Sequence, residues 1–554
     1  MLEPMTTQAY NYETQRLDHL GIVAGICQRI NLIGLIDGSL PSPMERKVSC
    51  GQATQAMVLN ALGLTGRALY LMPEYMENKP VDLLIGAGLS AADFNDDTLG
   101  RALDELQQAG VTELFARVAA EAVRVYDIHT RYAHVDSSTF AVQGRYDSPY
   151  AQKMTEKYGA VTISRGYSKD KRPDLKQVVV NLITSQASAL PLWLEVLDGN
   201  SSDKLTFQTT VAAYCRELAE GESPPWFVLD SAGYSQENLQ AWGPIPWITR
   251  VPETLKAAQM LVTSVATDEM VEVGHGYRVC AVGAWYGDVK QRWLLVYSPQ
   301  AYEREKQQLA KQIAWQEPDR QREWRRLCRH RFQCKADACV ALSQFSAHLR
   351  WWKPEASIEP VEKHRRPGRP AQDALPDVVG WHIQGVLTLD EAAVAAATKC
   401  LGRFVLATNL LDEATLPDEQ LLSCYKEQSR SVERGFRFLK DPMFFADSLF
   451  LKSPVRIMAM IMVMGLSLLV YALAEHELRL ALVAQNETIP HQTGKPTQQV
   501  TMRRVAQIFE GVDVLLVKAG PEIITRQVLN LTPVRLKILR LFNATVQNCY
   551  LLET

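Results

Sequence analysis

The sequence lacks the signals of a secreted or a zinc-binding protein. Its ten cysteines form no Cys-x-x-Cys pair, and the tightest group, Cys328, Cys334 and Cys339, is spaced too widely for a usual zinc knuckle. We therefore expect free thiols. Residues 1–20 carry acidic side chains and no apolar segment of the kind that a secretory signal needs, so we expect a cytoplasmic protein.

The sequence also lacks an overall charge of one sign. The formal net charge is −3 at pH 7, which by itself indicates no nucleic-acid partner. Basic residues are nonetheless concentrated in the segments 166–177, 319–331 and 362–370. Each segment taken alone is typical of a solvated surface, but local patches rather than totals contact phosphate groups.

Long apolar segments are scarce, and residues 457–474 form an uncharged run between Arg456 and Glu475. The length of this run reaches the lower limit for a membrane span. The run is also rich in methionine, contains Gly, Ser and Tyr, and has densely charged flanks without interfacial Trp. A helix buried on all sides in a large protein has the same composition, so we favour a core helix.

Two predicted strands each run into an aspartate that is followed by small residues. The acid is Asp136 in RYAHVDSSTF and Asp230 in WFVLDSAG, and 230 − 136 = 94 positions separate them. A buried carboxylate is costly without a cation or a donor beside it. One interpretation is a divalent-metal site at neighbouring strands. For Asp136 the other interpretation is that it caps a turn through its own backbone.

The order of predicted elements indicates an α/β fold with a mixed sheet, in a chain long enough for three or four domains. Residues 1–125 are predicted to be helical, with two amphipathic helices around Gly110. Hairpin signals and a long polar helical stretch characterise residues 250–400. The predicted core has a helix at 203–219. Its strands are predicted at 132–143, 177–184, 191–199 and 403–409, with one more strand that ends at Asp230.

A helix predicted over residues 417–440 carries the clearest functional pattern. At 100° per residue, four cations lie within roughly −20° to +60° of Glu433. These cations are Lys426, Arg430, Arg437 and Lys440, and the adjoining apolar face has Val432, Phe436 and Leu439. One interpretation is a surface helix whose glutamate pairs with its own cations. The other is a metal-binding acid among cations that hold a phosphate backbone.

Several segments together resemble the DDE transposases of bacterial insertion sequences. They are HVDSSTF, GYSKDKRPDLKQ, VLDSAGYSQENL, FVLATN and the stretch from VERGFRFLK to LVYALAE. More narrowly, the sequence resembles the group that has a Tyr, Arg, Glu, Lys signature on its last catalytic helix. The resemblance runs in order from about residue 15 to the end of the chain.

The resemblance implies an RNase H-like catalytic core, a mixed sheet flanked by helices, in which three carboxylates bind two magnesium ions. By motif position these carboxylates are Asp136, Asp230 and Glu433, and Mn²⁺ is expected to substitute for Mg²⁺. An inserted domain then explains the gap between Asp230 and Glu433, 433 − 230 = 203 positions. The implied domains are 1–125 (helical, binding DNA ends), 126–245 (first part of the core), 246–400 (insertion), 401–480 (second part of the core) and 481–554 (helical).

The signature on the last catalytic helix is matched only in part. Lys440 lies seven positions after Glu433, as the group has it. Tyr425 and Arg430 lie eight and three positions before Glu433, whereas the group usually has seven and four. The expected DNA-binding residues are Tyr425, Arg430, Arg437, Lys440, Lys169 and Arg172.

The implied function is that of a transposase that cuts DNA at the ends of its element and joins the 3′-hydroxyls to target DNA. The expected partners are transposon ends and target DNA, with a homodimer in the end complex and a location on the nucleoid. An inactive DNA-binding regulator derived from a transposase need not keep all three acids, and all three are present. A metal-dependent hydrolase of small molecules would need a closed pocket rather than cations along a helix.

Overall fold

The computed structural model describes residues 10–41, 46–65, 68–144, 146, 153, 156–218, 222–363, 377–441, 451 and 453–552. The basic segment 362–370 therefore lies almost entirely outside the described residues. Contacts divide the chain into two compact units. Unit one comprises Met1–Thr249, Trp285–Gln291 and Thr408–Thr554, and unit two comprises Arg250–Ala284 and Arg292–Ala407.

The strands are β1 (Tyr10–Arg16), β2 (Tyr132–Val142), β3 (Lys176–Ser185), β4 (Pro191–Leu197), β5 (Trp226–Leu229), β6 (Trp247–Arg250), β7 (Val271–Glu272), β8 (Arg278–Tyr286), β9 (Val289–Tyr297), β10 (Trp352–Lys363), β11 (Asp377–Leu389), β12 (Arg403–Thr408), β13 (Ile489–Pro490), β14 (Pro496–Thr497), β15 (Asp513–Ala519) and β16 (Glu522–Leu529).

The α-helices are α1 (Leu20–Arg29), α2 (Leu32–Asp37), α3 (Cys50–Leu62), α4 (Met72–Met76), α5 (Val81–Leu84), α6 (Asp96–Gln108), α7 (Val111–Tyr126), α8 (Asp203–Glu217), α9 (Gln236–Trp242), α10 (Lys256–Ser264), α11 (Pro299–Arg329), α12 (Lys335–Ala347), α13 (Glu391–Cys400), α14 (Asp418–Lys426), α15 (Val432–Leu439), α16 (Pro454–Ala484), α17 (Met502–Phe509), α18 (Pro533–Arg540) and α19 (Ala544–Cys549).

The sheet of unit one has the strand order β4-β3-β2-β5-β6. Strand β3 pairs antiparallel with both β2 and β4, whereas β5 pairs in parallel with both β2 and β6. Nine of the ten residues of β3 are buried, because helices cover the sheet on both faces. This mixed sheet flanked by helices confirms the predicted α/β, RNase H-like fold.

Unit two has a hydrophobic core of its own. Strands β12, β9, β8 and β7 follow one another in this order, and β10 and β11 form a separate antiparallel hairpin. Trp324 of α11 is buried against Trp351, Trp352 and Ile383 of the hairpin region. The rest of α11 is mostly exposed, as the polar character of residues 301–350 predicts.

The apolar run at 457–474 lies within α16, the central helix of unit one. By length and composition this helix could cross a membrane, but 94% of its most apolar window is buried inside the protein. The packing is so close that a Cβ on Gly465 would lie 2.4 Å from Leu194 Cδ1 and 3.0 Å from Phe115 Cε2. The prediction of a core helix is confirmed.

The two ends of the described chain meet in a small sheet that local sequence does not reveal. β1 pairs antiparallel with β15, and β15 pairs with β16. The prediction of helix throughout residues 1–125 is therefore wrong at β1, and the prediction of a helical region at 481–554 is wrong at its four strands. A strand whose partner lies about 500 positions away shows no hairpin signal in its own neighbourhood.

The ten cysteines are free thiols, as expected.

Candidate active site

Asp136 and Asp230 are brought together by the parallel pairing of β2 with β5. The pairing runs in register to Val135, which lies opposite Leu229. Each aspartate directly follows its member of this pair, Asp136 within β2 and Asp230 just after β5 ends, so the interval of 94 positions between them equals the register offset of the two strands. Asp136 lies mid-strand, because β2 continues to Val142 in its pairing with β3.

One oxygen of each aspartate binds the local backbone. Asp136 Oδ1 accepts a hydrogen bond of 2.7 Å from the amide of Ser137. Asp230 Oδ1 accepts one of 2.9 Å from the amide of Ala232 and so caps a short 3₁₀ turn. The carbonyl of Asp230 also accepts from Thr249 Oγ1 over 2.7 Å, which fixes the end of β5 against β6. Asp230 thus caps a turn, whereas Asp136 lies within β2 and caps none, so the turn-capping interpretation of Asp136 is wrong. Both side chains remain partly exposed.

Lys169 supplies a positive charge beside Asp136. Its Nζ lies 3.8 Å from Asp136 Oδ1 and donates to the carbonyl and the hydroxyl of Ser137 over 2.7 and 2.6 Å. Its amide donates to Thr139 Oγ1 over 3.2 Å. Lys169, which we expected to contact DNA, is therefore bound to β2 in this structure. Sequence reasoning placed it only in a basic segment and gave no indication of this contact.

The helix expected over 417–440 is broken before Glu433. Helix α14 ends at Lys426, a 3₁₀ turn covers Glu427–Arg430, and Ser431 has φ −103° and ψ −92° before α15 begins. The expected stripe of four cations on one continuous helix is therefore wrong. Arg430 instead pairs with Glu427 over 3.0 Å. The predicted apolar face is confirmed, since Val432, Phe436 and Leu439 are all buried.

Helix α15 packs on β2 and β3, the strands that carry and adjoin Asp136. A Cβ on Gly435 would lie 3.3 Å from Leu182 Cδ2 and 3.2 Å from Leu468 Cδ2. Leu182 is the register partner of Asp136 on β3, so α15 covers the sheet near this aspartate. Glu433 itself is exposed, on the first turn of the helix.

Lys440, at the end of α15, is bound to a neighbouring loop. Its Nζ lies 2.7 Å from Asp170 Oδ1 and 5.6 Å from the ring centroid of Phe140. Arg437, on the last turn, is exposed. Among the other expected DNA-binding residues, Tyr425 is half-buried on α14, and Arg172 pairs with Asp174 through two hydrogen bonds of 2.9 and 2.8 Å.

A buried ion network next to Glu433 was not predicted. Glu475 of α16 is 3% exposed, and its Oε2 accepts from Arg434 over 2.5 Å and from Arg479 over 2.7 Å. Its Oε1 accepts from the amide of Met502 over 3.0 Å. Burial lowers the pKa of the Arg434 guanidinium, but the Glu475 carboxylate outweighs this effect, and the pKa lies above its usual value. The network ties the helix that carries Glu433 to the core helix. The only sign of this network in the sequence is Glu475 itself, the acid that directly follows the apolar run 457–474.

The side chains fit a divalent ion in part. Mg²⁺ is commonly held by one or two carboxylates together with substrate phosphates, and Asp136 and Asp230 provide two neighbouring carboxylates. In the part of the chain that the structure describes, no group of three or more His, Cys, Asp or Glu side chains could hold a metal ion. Glu433 is therefore not gathered with the two aspartates here.

The sequence matches the models of two known domain families. The model of the Transposase DDE domain matches residues 133–471, more than half of the chain, and Domain of unknown function (DUF4277) matches residues 12–120. No curated protein matches significantly. A cryo-EM structure of a piggyBac transposase synaptic complex with hairpin DNA shares 8% identity over 90% of this chain and 82% of its own, with a TM-score of 0.39. That similarity is too low to support a conclusion about this chain. By the match over residues 133–471, the chain belongs to the DDE transposase family.

Proposed function

We propose that the protein is the transposase of a bacterial insertion sequence, in the group with the Tyr, Arg, Glu, Lys signature. It cuts phosphodiester bonds at the ends of its element and joins the 3′-hydroxyls to target DNA. The observation that carries this proposal is the register of β2 and β5, which sets Asp136 beside Asp230 on neighbouring strands. Membership of the transposase family and the packing of α15 on β2 and β3 support it.

Asp136 and Asp230 are the proposed ligands of the divalent ions, Mg²⁺ or Mn²⁺, and Glu433 is the proposed third ligand. When bound, such ions activate a water or a 3′-hydroxyl and stabilise the leaving oxyanion. The backbone hydrogen bonds to Oδ1 of each aspartate hold the two carboxylates in place on the sheet. The Arg434 to Glu475 pair anchors the helix on which Glu433 lies.

The proposed DNA contacts are made by cations around this site. Arg437 and Lys440 lie on α15 and are suited to phosphate groups rather than base edges. Tyr425 and Arg430 are separated from α15 by the break at Ser431, so their proposed phosphate contacts rest on their own positions and not on one helical face. Lys169 and Arg172 belong to the loop beside β2. The proposed assembly is a homodimer on two DNA ends, and the region 1–125 is proposed to distinguish those ends.

A cleavage assay tests the proposal. The substrate is a duplex that contains a terminal repeat taken from the DNA flanking the gene, with Mg²⁺ or Mn²⁺ present. Asp136→Asn, Asp230→Asn and Glu433→Gln should each lower cleavage by about a thousandfold or more, while DNA binding measured without metal stays within about twofold. The matched controls are the exposed residues Asp268 and Glu419, as Asp268→Asn and Glu419→Gln, which should cleave normally. Substantial cleavage by any of the three site variants would contradict its assignment.

The same assay separates a second candidate function, an inactive DNA-binding regulator derived from a transposase. One observation favours it, because Glu433 is not gathered with Asp136 and Asp230 among the described residues. Such a regulator would bind the repeat with the usual salt dependence and cleave it with neither metal. Cleavage by the unmodified protein excludes this candidate.

A further inference from the structure

Two adjacent residues of opposite charge contact two different parts of the candidate active site. Lys169 and Asp170 lie in the loop between β2 and β3. Lys169 binds the strand that carries Asp136, and Asp170 binds Lys440 at the end of the helix that carries Glu433. All of these contacts lie within unit one.

Lys169 places an ammonium group where the site is proposed to take a cation. Its Nζ is 3.8 Å from Asp136 Oδ1 and is held by the carbonyl and hydroxyl of Ser137. The side chains of Lys169 and Asp136 are 29% and 19% exposed, so ions from solvent can reach the pair. A lysine ammonium and a divalent ion compete for the same carboxylate, because both are attracted by its negative charge.

Asp170 places a carboxylate where the site is proposed to take a phosphate. Its Oδ1 lies 2.7 Å from Lys440 Nζ, and the two side chains are 41% and 26% exposed. A carboxylate and a phosphate oxygen are both anionic hydrogen-bond acceptors for an ammonium group. The same ammonium group also lies near the ring of Phe140, on the strand that carries Asp136.

The backbone of the loop is held in this arrangement. The Lys169 amide donates to Thr139 Oγ1 over 3.2 Å, and the Arg172 amide donates to Ser168 Oγ over 3.1 Å. Lys171 adopts φ +58°, a left-handed conformation that turns the chain directly after Asp170. The two charged contacts therefore belong to one folded turn.

We propose that Lys169 and Asp170 are internal substitutes for the two ligands of the site, with Lys169 standing in for the divalent cation at Asp136 and Asp170 for a DNA phosphate at Lys440. This inference rests on the proposed function and adds a consequence to it. Metal displaces Lys169, phosphate displaces Asp170, and each displacement favours the other because the residues are adjacent. Divalent metal and DNA then bind with positive and reciprocal coupling.

The metal half is tested by titrating the full-length protein with Mn²⁺ without DNA, followed by electron paramagnetic resonance. Lys169→Met should tighten Mn²⁺ binding by about threefold to tenfold, since a partly exposed competing charge is removed. Lys169→Arg, which keeps the charge, should bind Mn²⁺ nearly as the unmodified protein does. Lys171→Met is the matched control and should leave the affinity unchanged. Weaker or unchanged Mn²⁺ binding by Lys169→Met, with an unaltered melting temperature, overturns the proposal.

The DNA half is tested by measuring the affinity of a duplex without metal. Asp170→Asn should tighten DNA binding by about threefold to tenfold, and the gain should vanish in the Lys440→Ala background. Asp268→Asn, which also removes one exposed negative charge but lies outside this loop, is the matched control and should leave the affinity unchanged. A gain that persists without Lys440 shows a general charge effect and contradicts the proposal. Weaker Mn²⁺ binding by Asp170→Asn also contradicts it, because Asp170 would then be a metal ligand.

Asp136→Asn separates the failure of this inference from the failure of the proposed function. If Asp136→Asn abolishes Mn²⁺ binding, the metal site stands whatever the Lys169 variants do. If Asp136→Asn binds Mn²⁺ as the unmodified protein does, the metal assignment itself is wrong.

Discussion

Asp136 and Asp230 are neighbours across a pair of parallel strands, one position beyond the pair Val135 and Leu229. Asp136 lies within β2 and Asp230 directly follows β5, so the two side chains start from adjacent backbone positions of the sheet. Two carboxylates on neighbouring backbone positions repel each other, and a nearby cation offsets the cost. In this structure Lys169 supplies a cation to Asp136, and in the proposed function a divalent ion does so.

Because α16 is buried at some positions and exposed at others, an introduced aspartate should affect folding differently at two positions of this helix. Leu466 is fully buried, whereas Leu480 is 56% exposed. Leu466→Asp should unfold unit one, because a buried unpaired charge costs several kcal/mol against a domain stability of about 5–15 kcal/mol. Leu480→Asp should fold normally. Circular dichroism and urea titration of both variants check this, and a folded Leu466→Asp protein would show that the helix is not a core element.

The Glu475 network predicts a large loss of stability from one buried side chain. Glu475→Ala leaves Arg434 and Arg479 facing each other without their shared acceptor. The free energy of unfolding should fall by about 3 kcal/mol, and DNA cleavage should fall with it because the helix carrying Glu433 loses its anchor. Urea titrations measure the first effect. The exposed Glu419→Ala is the control, and equal stabilities of the two variants would contradict the structural role of the network.

The buried imidazole of His19 should make the folded protein less stable in mild acid. Burial lowers the pKa of its imidazole, and Nε2 lies 2.7 Å from the carbonyl oxygen of Leu62, which can only accept a hydrogen bond. Below a pH of about 6.5 the unfolded chain binds a proton that the folded one does not, so stability falls as the pH falls. The slope from this histidine approaches about 1.4 kcal/mol per pH unit. Urea titrations between about pH 5 and 7.5 should show a shallower slope for His19→Gln, and an unchanged slope would exclude this group as the cause.

Replacing Arg437 should change the salt dependence of DNA binding. If it contacts a phosphate, Arg437→Ala should reduce the slope of log affinity against log salt by about one, equally for terminal-repeat and random duplexes. Arg216→Ala, which removes an exposed arginine from α8, is the control and should leave the slope unchanged. Loss of affinity for the repeat alone would indicate base contact instead.

The parts of the fold that depend on local pattern could be predicted from the sequence. The predicted strands at 132–143, 177–184 and 191–199 agree closely with β2, β3 and β4, because apolar, β-branched runs bounded by turns are a local signal. The 94 positions between Asp136 and Asp230 equal the register offset of β2 and β5. This offset follows from the sequence once the two strands are assumed to be neighbours.

Other features depend on tertiary contacts that no local pattern contains. β1 is an exposed strand that forms only because β15 lies beside it, at the other end of the described chain. The break at Ser431 interrupts a segment with good helical periodicity, so the angles calculated for Lys426 and Arg430 did not hold. The contact of Lys169 with Asp136 joins residues whose charges are visible in the sequence but whose proximity is not.

The most direct test of the central claim, that Asp136 and Asp230 bind a divalent ion together, is metal-directed cleavage of the protein itself. Fe²⁺ replaces Mg²⁺ in the full-length protein, ascorbate and peroxide generate hydroxyl radicals at the bound ion, and mass spectrometry maps the cut sites. We predict cuts beside Asp136 and beside Asp230 that excess Mg²⁺ suppresses and that Asp136→Asn abolishes, with a further cut beside Glu433 when DNA is bound. Cuts that avoid both aspartates, or that persist in Asp136→Asn, would contradict the account.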